Sequence, residues 1–429
     1  MAKDSFNVGV IGLGTVGTGV ARILLENGES IGRRAGIPIR LLRAADLDIA
    51  RDRGLDFPEG VLVSDAGTVL DDSEIDVVVE VIGGVSPART FIETALGNGK
   101  HVVTSNKEVV AKHGRGFLEL ARANGVNLYY EAAVGGGIPI VHALKNCLAA
   151  NEIEQVFGIM NGTTNYILTK MHEERTEFES VLKEAQDLGY AEADPTADVD
   201  GYDVAYKLAI LAGIAFNAHF SYEDIYFEGI RKISGEDVRI AEEMGYAIKL
   251  LAIGIRREGG VELRVHPAMI DRHHPLAAIE GSFNAVYVKG NYVDETMFYG
   301  PGAGALPTAS AVVGDIIDLA MSRGLAGSHP SITTGFNDLP VLEMGEIRSQ
   351  YFLRLRVKDQ LGVLAGIGGI CRDTKVSLKS VNQHTVSRTE AEIVLVTHTV
   401  REVAMQRALA GIRELETVLE VQNLIRVGL

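Results

Sequence analysis

Residues 6–17 read F-N-V-G-V-I-G-L-G-T-V-G. The apolar run Phe6 to Ile11 has the composition of a buried strand, Gly12, Gly14 and Gly17 interrupt it, and Thr18 to Glu26 reads as a helix. Strand, glycine-rich turn and helix form the context in which G-x-G-x-x-G carries meaning. The glycines permit a tight turn and let backbone amides approach a pyrophosphate lodged at the helix N-terminus. A plain structural turn is the less favoured alternative.

Working outward, the alternation continues. Ile39 to Ala45, Ile75 to Val81, His101 to Thr104 and Asn127 to Tyr130 read as strands, and Pro87 to Leu96 and Lys107 to Asn124 as helices. Such an order predicts a Rossmann-type doubly wound parallel sheet over residues 1–130, with α/β class for the whole chain. The acid that ends the second strand commonly reads the adenosine ribose, and in R43-A-A-D-L-D48 that acid is Asp46, which favours NAD. Arg43, Arg51 and Arg53 lie close enough in sequence to keep NADP open.

After Glu131 the pattern changes. A glycine-rich loop, A-V-G-G-G-I-P, precedes a helix near Val141 to Ala149. Longer strands follow at Gln155 to Met160, Lys249 to Arg257, Val261 to Ile270 and Phe283 to Lys289. With helices at Phe178 to Leu188, Gly201 to Phe216 and Ser234 to Met244, this predicts a second α/β catalytic and dimerisation domain at 131–305, built on a mixed sheet. A helix over 306–323 is expected to return to the first domain, and the Gly-, Ser-, Pro- and Thr-rich stretch 324–349 to be a linker. Residues 350–429 read strand, helix, strand, strand, helix, strand, a βαββαβ ferredoxin-like order, and are expected to form an independent unit.

Composition narrows the function classes. A chain of 429 residues, 46% hydrophobic and 23% charged, is that of a globular protein of two or three domains. A net charge of -16 argues against nucleic acid and anionic membranes as partners. Cys147 and Cys371 match no metal or redox spacing, no 18-residue apolar run occurs, and the N-terminus lacks the features of a signal peptide. A cytoplasmic location is the expectation.

Four stretches carry candidate chemistry. Residues 185–207, A-Q-D-L-G-Y-A-E-A-D-P-T-A-D-V-D-G-Y-D-V-A-Y-K, set six acids ahead of Lys207, which leads into an apolar helix. Asp203 and Lys207 fall on one helical face at the mouth of the interior, where burial tunes a lysine for proton transfer. On spacing alone, an acidic loop and a helix N-capped by Asp200, with Asp203 in its third position, is the favoured reading. The loop T104-S-N-K-E108 follows a parallel strand at the ligand-binding edge, and Lys107 in a first helical turn is unusual because cations are disfavoured there. Glu131 ahead of A-A-V-G-G-G offers a carboxylate and carbonyls suited to a hard cation, although a domain hinge is the commoner explanation. N161-G-T-T-N165 suits a carboxylate, or simply caps a helix. His273-His274 is assigned to a turn.

Together these pieces resemble homoserine dehydrogenase along the whole chain. Gly189, Glu192, Asp194-Pro195, Asp198, Gly201, Asp203 and Lys207 fall where that family's signature wants them. G-L-G-T-V-G at 12–17, N-G-T-T-N-Y-I-L at 161–168 and M-F-Y-G-P-G-A-G at 297–304 also match. The resemblance implies interconversion of L-homoserine and L-aspartate 4-semialdehyde with NAD(P). It implies catalytic roles for Lys207 and Lys107, and substrate binding by Glu192, Asp203, Asp198 and Thr163. Cofactor contacts would come from Gly12, Gly14, Thr15, Val16, Gly17, Arg43, Asp46, Lys107, Gly189 and Gly304. A monovalent cation, sodium or potassium, would sit at Glu131, Val134, Gly136 and Ile138. Ala45, where NADP-preferring relatives often carry Lys or Arg, argues against NADP preference. The C-terminal unit resembles an ACT domain, with K358-D-Q-L-G-V-L364 as its first loop, implying feedback by L-threonine. A homodimer or homotetramer is expected. The alternative from another class is a sensor of amino acid and nucleotide without turnover.

Overall fold

The computed structural model describes residues 3–322 and 339–429, so most of the expected linker at 324–349 lies outside the described residues. The chain forms two compact units. One comprises Met1–Val156, Tyr206–Glu223 and Phe283–Leu339, the other Phe157–Ala205, Asp224–Ser282 and Pro340–Leu429.

In the first unit six parallel strands lie in the order Leu62–Val63, Ile39–Ala45, Phe6–Ile11, Val77–Glu80, His101–Thr104, Leu128–Tyr129. The order reverses between Phe6–Ile11 and Val77–Glu80, which opens a crevice at the carboxyl ends of those strands. Every residue of Phe6–Ile11 is buried, and Val8, Val10, Val77, Val79 and Val103 are shut off from solvent. Each such side chain contributes roughly 1.5–3 kcal/mol of apolar burial. Two helices cover one face, Thr15–Ala35 and Ala305–Ser322, and their apolar residues join the sheet in one core. The second of these is long and apolar enough to cross a membrane, yet Val312, Val313, Ile316 and Leu319 are buried in this core.

Three local differences from the sequence reading have physical causes. The first helix starts at Thr15 rather than Thr18, because Gly12, with φ at +98°, makes the turn almost by itself. The two-residue strand Leu62–Val63 and the short helix Gly67–Leu70 are too brief to show a periodicity. The strand Asp294–Pro301, which pairs antiparallel with Phe283–Gly290, is disguised by its terminal glycine and proline and by a largely exposed face.

The second unit centres on the antiparallel pair Tyr246–Arg257 and Gly260–Asp271, with Gly259 at φ +85° in the turn. Val418–Val427 runs parallel beside Gly260–Asp271, with Ala268 opposite Arg426 and Met269 opposite Val427. Beyond it come Arg348–Lys358, Glu390–Thr397 and Leu378–Thr385, all antiparallel. Mixed pairing and the 4-1-3-2 order of the C-terminal strands agree with the expected classes. This C-terminal segment has its own core around Tyr351, Leu353, Ile367, Ile393 and Leu409. It is not independent, however. Its edge strand is paired to the larger sheet, and buried Arg354 bonds Asp237 of helix Gly235–Glu243 at 2.7 Å as well as Glu392 at 3.0 Å. An open sheet edge and an unpaired buried carboxylate would both be unfavourable alone.

Candidate active site

The dinucleotide turn is built by sterics. A β-carbon at Gly17 would fall 1.8 Å from the carbonyl oxygen of Gly12, and one at Gly12 would strike Ile82 and Val81, so neither position admits a side chain. Nothing lies within 4 Å of the corresponding point on Gly14. That open cradle at the start of helix Thr15–Ala35, whose first turn contains no acid, fits a pyrophosphate approached by the amides of Thr15 and Val16.

Asp46 is tied to this turn. Its Oδ2 accepts from the Leu13 amide at 2.7 Å, its Oδ1 accepts from the Asp48 amide at 2.9 Å, and Arg53 lies 3.1 Å away. Burial alone would raise the carboxyl, but the two amides and Arg53 outweigh it and hold the group below its usual value. Arg43 is elsewhere: it donates to the Leu42 and Gly60 carbonyls and lies 3.7 Å from Asp72. Arg53 is thus the arginine paired with Asp46, and its side chain is only 3% exposed.

Lys107 opens helix Lys107–Ala123, and Asn106 caps it by accepting from the Val109 amide. A network at the carboxyl edge of the sheet holds this loop. The hydroxyl of Thr104 donates to Glu80 at 2.7 Å, the Asn106 amide donates back to that hydroxyl at 3.0 Å, and the Asn106 side chain reaches the Gly84 carbonyl at 2.6 Å. Burial pushes the Glu80 carboxyl up despite these donors. Sequence reading missed Glu80 and Asn106; a carboxylate ending a fully apolar strand was the available signal.

In the second unit, Asn161 caps helix Gly162–Glu174 through its Oδ1, which accepts from the Thr164 amide at 2.8 Å. Its Nδ2 donates to Asp198 at 2.7 Å and to Asp203 at 2.9 Å. One amide group therefore gathers two of the predicted substrate acids. The helix bearing Asp203 begins at Tyr202, and Gly201 at φ +91° precedes it, so Asp200 is too early to be its N-cap. Asp200 instead closes the short helix Thr196–Val199 and bonds Arg231 at 2.6 Å. Thr163 donates to the Tyr190 carbonyl at 2.7 Å, next to Gly189 at φ +77°. Glu192 is exposed.

Helix Tyr202–Ala215 carries Lys207 one turn beyond Asp203. Asp203 is 4% and Lys207 8% exposed. The lysine and aspartate side chains are thus both largely removed from water on one helix.

The Glu131 carboxylate caps a second turn, accepting from the amides of Val141 at 2.8 Å and His142 at 2.6 Å. Its own amide donates to Asp315 at 3.0 Å. Burial pushes both carboxyls up, Asp315 strongly, each despite amide donors. Gly135 and Gly136 follow at φ +75° and +56°, a paired left-handed turn leading to Ile138. Near Val141 the expected helix is an α turn, Ile140–His142, running into a π-helical turn, Ala143–Cys147. Gly304, at φ +121°, precedes helix Ala305–Ser322.

A switch-point crevice and a glycine cradle at the start of helix Thr15–Ala35 define a dinucleotide-binding fold of the kind used by nicotinamide-dependent oxidoreductases. Residues 12–131 match the homoserine dehydrogenase NAD binding domain, residues 139–317 match homoserine dehydrogenase, and residues 351–417 match the ACT domain. The chain is 41% identical to a homoserine dehydrogenase of Bacillus subtilis, over 99% of this chain and 98% of that one. A crystal structure of a homoserine dehydrogenase from Thiobacillus denitrificans superposes with a TM-score of 0.94 at 45% identity, covering 99% of this chain and 98% of that one. A hyperthermophilic archaeal homoserine dehydrogenase in complex with NADPH gives a TM-score of 0.63 at 27% identity, over 73% of this chain and 97% of that one. The chain belongs to the homoserine dehydrogenase family and is an oxidoreductase of that activity.

Proposed function

We propose that the protein interconverts L-homoserine and L-aspartate 4-semialdehyde by lysine acid–base catalysis, within the synthesis of threonine, methionine and isoleucine. The observation that carries this reading is the Asn161-gathered pair Asp198 and Asp203, followed one helical turn later by buried Lys207. The nicotinamide supplies hydride exchange at the substrate carbon. Glu192 and Asp203 take the substrate ammonium, with Asp198 in support. Thr163 orients the adjacent loop through Tyr190. During aldehyde reduction Lys207 gives a proton to the developing alkoxide oxygen, and Lys107 stabilises its charge. In the oxidative direction Lys207 takes that proton back.

The amides at Gly14, Thr15, Val16 and Gly17 hold the pyrophosphate, while Gly12, whose own amide donates to the Ala45 carbonyl, makes the turn beneath it; Gly189 and Gly304 are further backbone contacts. NAD is the preferred nucleotide, because Asp46 is held ionised and would repel a 2′-phosphate. Arg43 and Arg53 are both engaged by other groups. A monovalent cation fits the Glu131 loop. Glu131 accepts one amide on each carboxylate oxygen and keeps lone pairs on both, so it and the main-chain carbonyls of Val134, Gly136 and Ile138 are the donors. Its positive charge would relieve the two buried carboxyls. L-threonine acts through the C-terminal loop 358–364, where Leu361 is fully exposed and Gly362 has φ +89°. Assembly as a homodimer or homotetramer is supported by Phe283, Met297 and Tyr299, exposed on one hairpin.

Steady-state kinetics with NADH and NADPH, with and without threonine, test these statements together. The reading predicts semialdehyde-dependent oxidation of both nucleotides, NADH with the higher kcat/KM, and inhibition by threonine. Oxidation of neither nucleotide would leave the sensor as the surviving alternative.

A further inference from the structure

Asn284 is 1% exposed, and neither its Nδ2 nor its Oδ1 has a hydrogen-bond partner. Among the described residues no other buried side chain has two such atoms. Buried amides are nearly always paired, so this position retains a polar group at a cost an apolar residue would avoid.

Its surroundings show what the group faces. Asn284 stands opposite Gly300 on the hairpin formed by Phe283–Gly290 and Asp294–Pro301. A β-carbon at Gly302 would lie 1.9 Å from the Asn284 Nδ2 and 2.5 Å from its Oδ1, so the carboxamide lies flat against that glycine. A β-carbon at Gly136 would come within 2.5 Å of the Gly302 carbonyl oxygen, so the turn is also backed by the Gly135–Gly136 loop. Three residues beyond Gly302, Ala305 opens its helix, and a β-carbon at Gly19 of helix Thr15–Ala35 would lie 2.8 Å from the Ala305 carbonyl. The start of the later helix thus lies against the second turn of the earlier one, and neither helix has an acid in its first turn. Two positive helix ends this near one another favour a bound anion.

We propose that Asn284 is a positioning residue for the 300–305 turn: the dinucleotide pyrophosphate at the two helix ends draws the turn inward, and main-chain groups of Gly302 and Ala303 close onto the Asn284 carboxamide. The inference rests on reading that turn as a wall of the nucleotide site. The two orphaned atoms gain their partners only when nucleotide binds, so their pairing adds to nucleotide affinity rather than to the stability of the free protein. A structural asparagine would do the reverse.

The test uses full-length Asn284→Ala, with thermal midpoints measured with and without NADH alongside steady-state constants. The nucleotide-free midpoint is expected at or above that of the wild type. The nucleotide KM should rise about tenfold, with kcat and the homoserine KM within about twofold. Gly302→Ala, which drives a β-carbon into the carboxamide, should also weaken nucleotide binding and lower the midpoint, and adding Asn284→Ala to it should restore the midpoint. A nucleotide KM left unchanged by Asn284→Ala overturns the proposal, as does a lowered nucleotide-free midpoint. If NADH stabilises the wild type and the variant equally, only the role of Asn284 is lost. If NADH fails to stabilise the wild type, the reading of the turn as a nucleotide wall fails with it.

Discussion

Asn161 and Asp203 are joined by a hydrogen bond of 2.9 Å across 42 residues of chain, and the same Nδ2 also holds Asp198 at 2.7 Å. Two carboxylates that would repel one another are thereby kept side by side, and helix Gly162–Glu174 is capped by the other end of the same amide. Replacing Asn161 with Ala removes both functions. The homoserine KM should rise at least tenfold, and unfolding free energy should fall by about 1–2 kcal/mol from loss of the cap. Denaturant titration and initial-rate kinetics on one preparation separate the two effects; an unchanged homoserine KM would mean these acids do not meet the substrate.

Lys207 should separate chemistry from binding. Lys207→Ala is expected to lower kcat by roughly 10²–10⁴ while the semialdehyde KM changes little, the pattern for loss of a positioned proton donor. A larger effect in Lys107→Ala than in Lys207→Ala would exchange the roles of the two lysines.

Asp46→Ala should shift nucleotide choice. With its ionised carboxylate gone, kcat/KM for NADH should fall by about tenfold and the value for NADPH by less. Parallel falls with both nucleotides would mean that Asp46 supports the turn through the Leu13 amide and does not read the ribose.

Lys249 supplies a pH dependence of stability. It is buried with Nζ 3.1 Å from Asn165 Oδ1 and 2.5 Å from the Ile279 carbonyl, and burial holds its ammonium down to about 8 against 10.5 in the unfolded chain. Between those values the unfolded chain carries a proton that the native chain lacks, so stability gains with rising pH. The resulting penalty of about 3 kcal/mol is complete below the folded value and gone above the unfolded one. The difference in unfolding free energy between wild type and Lys249→Met, followed from pH 7 to 11, should therefore change across this window. A difference independent of pH would show that burial does not suppress the charge.

The regulatory segment should prove hard to detach. Arg354→Met leaves Asp237, which is shut off from solvent, without its cation, and should cost about 3–5 kcal/mol by denaturant titration. Leu361→Glu, in the exposed loop, is expected to abolish threonine inhibition with little loss of stability or activity. Retained inhibition in that variant would move the effector site elsewhere.

Much of the site's chemistry was legible locally. The glycines at 12, 14 and 17 are demanded by clashes within one turn, and Asp203 and Lys207 share a helical face by spacing alone. What was misread was also local in appearance: Asp200 has the composition of an N-cap, yet Gly201 adopts the backbone that starts the helix and Arg231 takes the carboxylate. Arg43 and Arg53 are indistinguishable in sequence, and only packing sends one to Asp72 and the other to Asp46.

The sequence by itself determined the strand–turn–helix at residues 6–17, the βαββαβ order of residues 350–429, and the run of acids leading to Lys207. Backbone sterics and side-chain periodicity act within a few residues and leave their mark there. Tertiary structure alone decided that Asn161 gathers Asp198 and Asp203, that Gly19 meets Ala305, that Arg354 reaches Asp237 across 117 residues, and that Val418–Val427 pairs beside Gly260–Asp271. These contacts depend on strand register and on burial of charge, which no local pattern records, because each partner looks ordinary until the fold removes water from around it.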